Sequence, residues 1–213
     1  MFDPELQKQL KNKFEKELKD EVELILFGKD TECTFCLEYK DLIDELASLS
    51  SKITAKSHSI SGPEAKEFGV RLAPSLVIYS PKYKTSATFC APPANHFFIT
   101  LLEDIVDASR GGPSISKDLI EKIAAIDFPV QLKVFASQTC PYCPPAVKVA
   151  HDFSLINPKI KAEMIDTSLF PELAQHYKVR GVPKTIINDS FQFGGAKPTS
   201  EVLDYVLQFK ANP

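Results

Sequence analysis

Apolar and polar positions alternate along the first 110 residues in two different rhythms. Leu6, Leu10, Phe14 and Leu18 return every four residues on a polar background, which predicts an amphipathic helix. VELILF (22–27) is an unbroken apolar run of strand length and predicts a buried strand. LEYKDLIDELASL (37–49) goes back to helical spacing, KITAKSHSI (52–60) predicts a strand, and PEAKEFGV (63–70) a short helix. RLAPSLVIY (71–79) places a proline at the opening of a strand, TSATF (85–89) predicts another strand, and NHFFITLLEDIVDAS (95–109) a closing helix.

Arg110-Gly111-Gly112-Pro113 breaks this pattern, as two glycines and a proline do. The same order then restarts. SKDLIEKIAAI (116–126) predicts a helix with Ser116 as N-cap, and VQLKVF (130–135) a strand. AVKVAHDFSLI (146–156) is helical, KAEMID (161–166) a strand and PELAQHYKV (171–179) a short helix. VRGVPKTIIN (179–188) again opens a strand at a proline, and SEVLDYVLQFK (200–210) closes the chain as a helix.

The repetition extends to the chemistry-bearing residues. Each half carries a Cys-x-x-Cys between a predicted strand and a predicted helix: Cys33 with Cys36, and Cys140 with Cys143. Cys33 and Cys140 are 107 residues apart, and Pro74 and Pro183 are 109 apart. Two units of about 105 residues, each alternating strands with helices, predict an α/β fold of two tandem domains, 1–110 and 111–213.

The composition of the 213 residues, 44% hydrophobic and 25% charged with a net charge of −3, fits two such domains. No apolar run is long enough for a membrane-spanning helix, and the first residues lack the apolar core of a signal peptide, so the expected location is cytoplasmic. Mild acidity without a basic cluster argues against nucleic acid as a partner.

A Cys-x-x-Cys can be half of a zinc site, a structural disulfide or a working dithiol. Zinc ribbons space their cysteine pairs by about 15–20 residues, whereas Cys36 and Cys140 are separated by 103. A structural disulfide closing so short a loop adds little stability. A dithiol needs a nucleophilic thiolate and a second thiol to resolve the mixed disulfide. A position between strand and helix supplies both, because the helix N-terminus stabilises a thiolate. Pro141 suits a first helical position, Pro144 fits the first turn, and Pro145 is expected to distort or delay the helix. Pro74 and Pro183 open strands at matched distances from the dithiols. There each can hold a cis peptide and leave the preceding residue's backbone free to pair with an extended peptide.

These residues resemble a known family. Each half is similar to a thioredoxin fold, a mixed central sheet flanked by helices, and Cys140-Pro141-Tyr142-Cys143 matches the glutaredoxin active-site motif. The tandem arrangement over residues 5–210 resembles the two-domain protein disulfide oxidoreductases of archaea and thermophilic bacteria. That resemblance implies reduction, oxidation or isomerisation of protein disulfides, without an organic cofactor or a metal. Cys33 and Cys140 would be nucleophiles, and Cys36 and Cys143 resolving thiols. Pro74 and Pro183 would be cis prolines that, with Ala73 and Val182, receive the client. Protein disulfides would be the substrates and a thioredoxin-reductase-like flavoprotein the electron donor. Two departures stand out: Glu32 and Thr139 replace the aromatic residue that thioredoxins carry before the first cysteine. Phe27 and Val134 replace their buried acid, which puts a thioredoxin-type proton relay in doubt.

Two other readings stay open. One is a dithiol electron carrier to a peroxidase, like the tandem-thioredoxin N-terminal region of the bacterial alkyl hydroperoxide reductase flavoprotein, whose first half lacks the cysteine pair. The other is a metal- or iron–sulfur-binding scaffold. Cys90 either lines the groove near Cys33 or is a small buried apolar residue. None of the four histidines follows a ligand or base pattern. Asp30, Glu32 and Glu38 surround the first motif, whereas Lys148 follows the second, which predicts the lower thiol pKa at Cys140.

Overall fold

The structure, a computed structural model, describes residues 2–29 and 35–211. Cys33 lies outside the described residues.

The first half runs α1 (Pro4–Glu17), β1 (Val22–Gly28), α2 (Cys36–Ser48), β2 (Ile53–Ser59), α3 (Pro63–Phe68), β3 (Ser75–Ser80), β4 (Thr85–Cys90) and α4 (Phe97–Arg110). The second runs α5 (Lys117–Ala124), β5 (Val130–Ala136), α6 (Cys143–Ile156), β6 (Ile160–Asp166), α7 (Pro171–His176), β7 (Lys184–Ile187), β8 (Phe191–Gly194) and α8 (Thr199–Ala211). The predicted helices and strands are all present. Local chemistry starts them where expected: Asp3 Oδ1 accepts from Leu6 N at 2.9 Å ahead of Pro4, and Ser116 Oγ accepts from Leu119 N at 3.4 Å.

Among the described residues, eight strands form one sheet in the order β2-β1-β3-β4-β6-β5-β7-β8. β1 pairs parallel with β2 and antiparallel with β3, and β3 pairs antiparallel with β4. β5 repeats this with β6, β7 and then β8. The halves meet where β4 and β6 run parallel, with Thr88, Phe89 and Cys90 opposite Glu163, Met164 and Ile165. The fold is α/β and thioredoxin-like, a mixed sheet flanked by helices.

Both sheet faces are covered, so the central strands read as continuous apolar runs rather than alternations. Leu24, Leu76, Phe89, Val134 and Met164 point into the main core beneath α1, α2, α4, α6 and α8. Ile25, Phe27 and Val77 pack on the other face against Ala65 of α3. Cys90, Phe135, Ile165 and Ile186 do the same against Ala174 of α7. Cys90 is therefore a fully buried apolar filler, and burial pushes its thiol well above the ordinary cysteine pKa.

Two features differ from the sequence expectations. β8 has no counterpart in the predicted elements; FQFG is only four residues long, alternates half-buried with exposed positions and ends in glycine. Helix α6 begins at Cys143 itself, with Pro144 and Pro145 inside its first turn and Pro141 ahead of it. The double proline neither delays nor distorts this start, because the first four N–H groups of a helix have no intrahelical acceptor and two of them are lost without cost.

Candidate active site

The second Cys-x-x-Cys sits where β5 ends and α6 begins. A turn carries the chain across, with Cys140 N donating to Ser137 O at 3.1 Å and Cys143 N to Cys140 O at 3.3 Å. The two cysteines are joined in a disulfide with their Cα atoms 5.5 Å apart. Their environments differ. Cys143 is completely buried, whereas Cys140 is half-buried beside an exposed Tyr142. Of the two, Cys140 is the more accessible.

The strand-opening prolines share one backbone geometry, and the second of them stands at this site. Both the Ala73–Pro74 and the Val182–Pro183 peptide bonds are cis. Cys140 Sγ lies 3.8 Å from the carbonyl oxygen of Val182, so the loop ahead of β7 stands directly beside the sulfur. Behind Pro183, Gly195 N donates to the Pro183 carbonyl at 2.9 Å and fixes the loop against the segment that follows β8.

In the first half, Cys36 is the first residue of α2 and is not free. Gly28 closes β1 next to it. A Cβ at that position would come within 2.9 Å of Cys36 Sγ, so only glycine leaves the sulfur its place. Nothing in the strand pattern singles out Gly28; its position just past an apolar run is the available signal. Ala73 and Pro74 are buried, and Ser75 Oγ donates to Leu72 O at 2.6 Å to brace that loop.

The two halves touch close to the second motif. Gln138 Nε2 donates to Pro92 O at 2.8 Å, tying the loop before Cys140 to the first half. Deeper down, α4 and α6 share a buried charged cluster. Lys148 Nζ lies 2.8 Å from Asp107 Oδ2 and 3.5 Å from Asp104 Oδ1, and also pairs with Asp152. His151, fully buried, sets Nδ1 2.6 Å from Asp104 Oδ2 and Nε2 3.2 Å from Thr88 O. Burial opposes the charge on Lys148, but Asp104, Asp152 and Asp107 outweigh it and raise its pKa. Lys148 is thus consumed by three carboxylates and is not the cation beside Cys140 that its sequence position suggests. His151 fills the structural role expected of the histidines.

The arrangement defines a thioredoxin-fold protein with a disulfide-forming Cys-x-x-Cys next to a cis-proline loop. Residues 130–208 match the family model described as thioredoxin domain. An alkyl hydroperoxide reductase component of Staphylococcus epidermidis is 28% identical over 200 residues, covering 93% of this chain and 36% of that protein. The chain therefore spans about a third of the length of the curated relatives it matches. The NTD_N/C domain of alkylhydroperoxide reductase from Enterococcus faecalis superposes with a TM-score of 0.85 at 28% identity, covering 96% of this chain and 99% of that one. A protein disulfide oxidoreductase from Aeropyrum pernix shares the fold, with a TM-score of 0.84 at 22% identity over 97% of this chain and 93% of that one.

Proposed function

We propose that this chain is a thiol–disulfide oxidoreductase acting on protein disulfides through two dithiol sites, one in each of two thioredoxin-like domains, 1–110 and 111–213. The observation that carries the reading is the half-buried Cys140, bonded to a buried Cys143 and 3.8 Å from the Val182 carbonyl that precedes Pro183. In the reduced protein the Cys140 thiolate attacks one sulfur of a client disulfide. The client S–S bond breaks, one client sulfur leaves and takes up a proton, and a mixed disulfide forms. Cys143, deprotonated, then attacks Cys140 Sγ. The Cys140–Cys143 bond forms, the second client sulfur leaves as a thiol, and two electrons have passed from protein to client. The reverse sequence oxidises a dithiol client, and the two together isomerise.

The half-buried Cys140 acts as nucleophile and the fully buried Cys143 as resolver, because the first is the more accessible to a client. Val182 and Pro183 receive the client in extended form. Cys33 with Cys36, and Ala73 with Pro74, play the same parts in the first half. A thioredoxin-reductase-like flavoprotein returns the electrons. Single-turnover reduction of insulin by the chemically reduced protein tests this; retention of full activity in a Cys140→Ser, Cys33→Ser double variant rejects it.

A second reading has a specific observation behind it. The similarity to the staphylococcal alkyl hydroperoxide reductase component extends over 93% of this chain and supports a dithiol carrier that feeds a peroxidase. The cysteine pair at residues 33 and 36 favours the broader oxidoreductase. Rapid reduction of a hydroperoxide-oxidised peroxidase, together with failure to reduce insulin, would select the carrier.

A further inference from the structure

The loop beside Cys140 borders a groove of about 530 Å³ lined in part by Val182 and Pro183, and the Val182 carbonyl lies 3.8 Å from Cys140 Sγ. Its charge is one-sided. Lys178, Arg180 and Lys184 line it, and no acidic residue does. Lys178 and Arg180 are exposed. Lys184 is half-buried, its ammonium donating to the carbonyls of Tyr177 and Lys178 at 3.0 and 3.2 Å, which are neutral partners. Among the described residues, none of the three enters an ion pair. Between the cations, Gly181, Gly194 and Gly195 leave open space where other residues would project a side chain, and Phe193 adds an apolar surface.

The first half provides an internal comparison. Counting from the cis prolines, Lys178 corresponds to Gly69, Arg180 to Arg71 and Lys184 to Ser75. Two of the three cations are thus peculiar to the second copy, while the sequence around the first motif carries Asp30, Glu32 and Glu38.

We propose that the groove beside Pro183 selects client segments carrying acidic side chains next to the disulfide, which lie extended over Val182 with their carboxylates on Lys178 and Arg180. This rests on the thiol–disulfide reading of Cys140 and Cys143 and names the client class for that site. Complementary charge acts chiefly on the rate of encounter and is screened by salt over about 10 Å at 0.1 M. The selection therefore shows in the second-order rate and fades as salt rises.

The test uses the full chain with Cys33→Ser and Cys36→Ser, reduced chemically so that only the second site reacts. Two synthetic peptides are compared in single turnover, identical except that two aspartates or two lysines flank an intramolecular disulfide. Each rate is divided by that peptide's rate with a neutral small dithiol, which removes intrinsic differences in disulfide reactivity. The acidic peptide is expected to react roughly ten-fold faster at low salt, within the range that steering produces, and the ratio should fall severalfold at 0.5 M salt. Lys178→Glu with Arg180→Glu, both at exposed positions, should reverse the preference. Equal normalised rates, or a preference indifferent to salt, overturn the selection while leaving the exchange chemistry standing. Failure of both peptides to react overturns the exchange reading and the selection with it.

Discussion

Phe89 of β4 stands in parallel register against Met164 of β6, both fully buried, and this contact makes the two halves one sheet. The ring of Phe89 also meets His151 of α6 edge-on, at 4.8 Å between centroids. Neither half can lose its native packing at this seam without exposing the other. Phe89→Ala should cost about 3–5 kcal/mol, the usual range for emptying a buried aromatic site. Denaturant unfolding should remain a single transition by far-ultraviolet circular dichroism and by tyrosine fluorescence. Two separated transitions in the parent protein would contradict the seam's role.

The unequal exposure of the two sulfurs predicts what each variant accumulates. Cys143→Ser should trap a mixed disulfide between Cys140 and a client, visible as a discrete adduct on non-reducing gels and lost on reduction. Cys140→Ser should trap none at this site, because the remaining sulfur is buried.

The α4–α6 cluster predicts an unusual pH dependence. One lysine faces three carboxylates, and burial raises the pKa of Asp152 to about 6, with Asp107 also raised by burial. A folded-state pKa above that of the unfolded chain means the native state takes up its proton first as pH falls. Asp152 therefore adds stability as pH drops through about 6 towards the ordinary carboxylate range, and that gain is lost as pH rises again. Asp152→Asn should remove it. Melting curves from pH 4.5 to 7.5 should diverge, with the parent gaining on the variant by roughly 1–3 kcal/mol at the acid end. Parallel curves would show that Asp152 does not titrate in this window.

Glycine is needed at two positions for different reasons. Gly111 has φ +83° at the end of α4, and a Cβ there would come within 2.6 Å of the Tyr83 ring. Gly111→Ala should destabilise the protein by about 1–3 kcal/mol through backbone strain and ring displacement. Gly28→Ala puts a methyl group against Cys36 Sγ, so it should perturb the reduction potential of the first dithiol more than the melting temperature. Redox titration of that pair in a Cys140→Ser, Cys143→Ser background checks this; an unchanged potential would show that the sulfur has room to move.

Local pattern carries much of the fold. Apolar spacing, caps and the duplicated motifs locate the α/β elements, both Cys-x-x-Cys positions and the two strand-opening prolines. What escapes it depends on partners distant in the chain. The β4–β6 pairing leaves no periodic trace, and β8 is too short and too exposed to stand out from a loop. Lys148 reads as a neighbour of Cys140 because only four residues separate Cys143 from it; two of its true neighbours, Asp104 and Asp107, lie more than forty residues upstream. Pro145 reads as a distortion for a related reason, since its effect depends on which turn of α6 it occupies, and the N–H groups of that first turn have no intrahelical acceptor to lose. The expected nucleophile Cys33 falls outside the described residues.

The parallel seam has one more consequence. Standing alone, the first half would end its sheet at β4 and the second at β6, strands whose residues here are mostly buried. Each would offer a bare row of amide and carbonyl groups to any passing strand, a template for aggregation. Joining the copies hides both rows from solvent at once. What remains at the rims is β2, with Lys56 and His58 along it, and the four-residue β8. Duplication has thus given the molecule a sheet that is hard for a passing strand to extend.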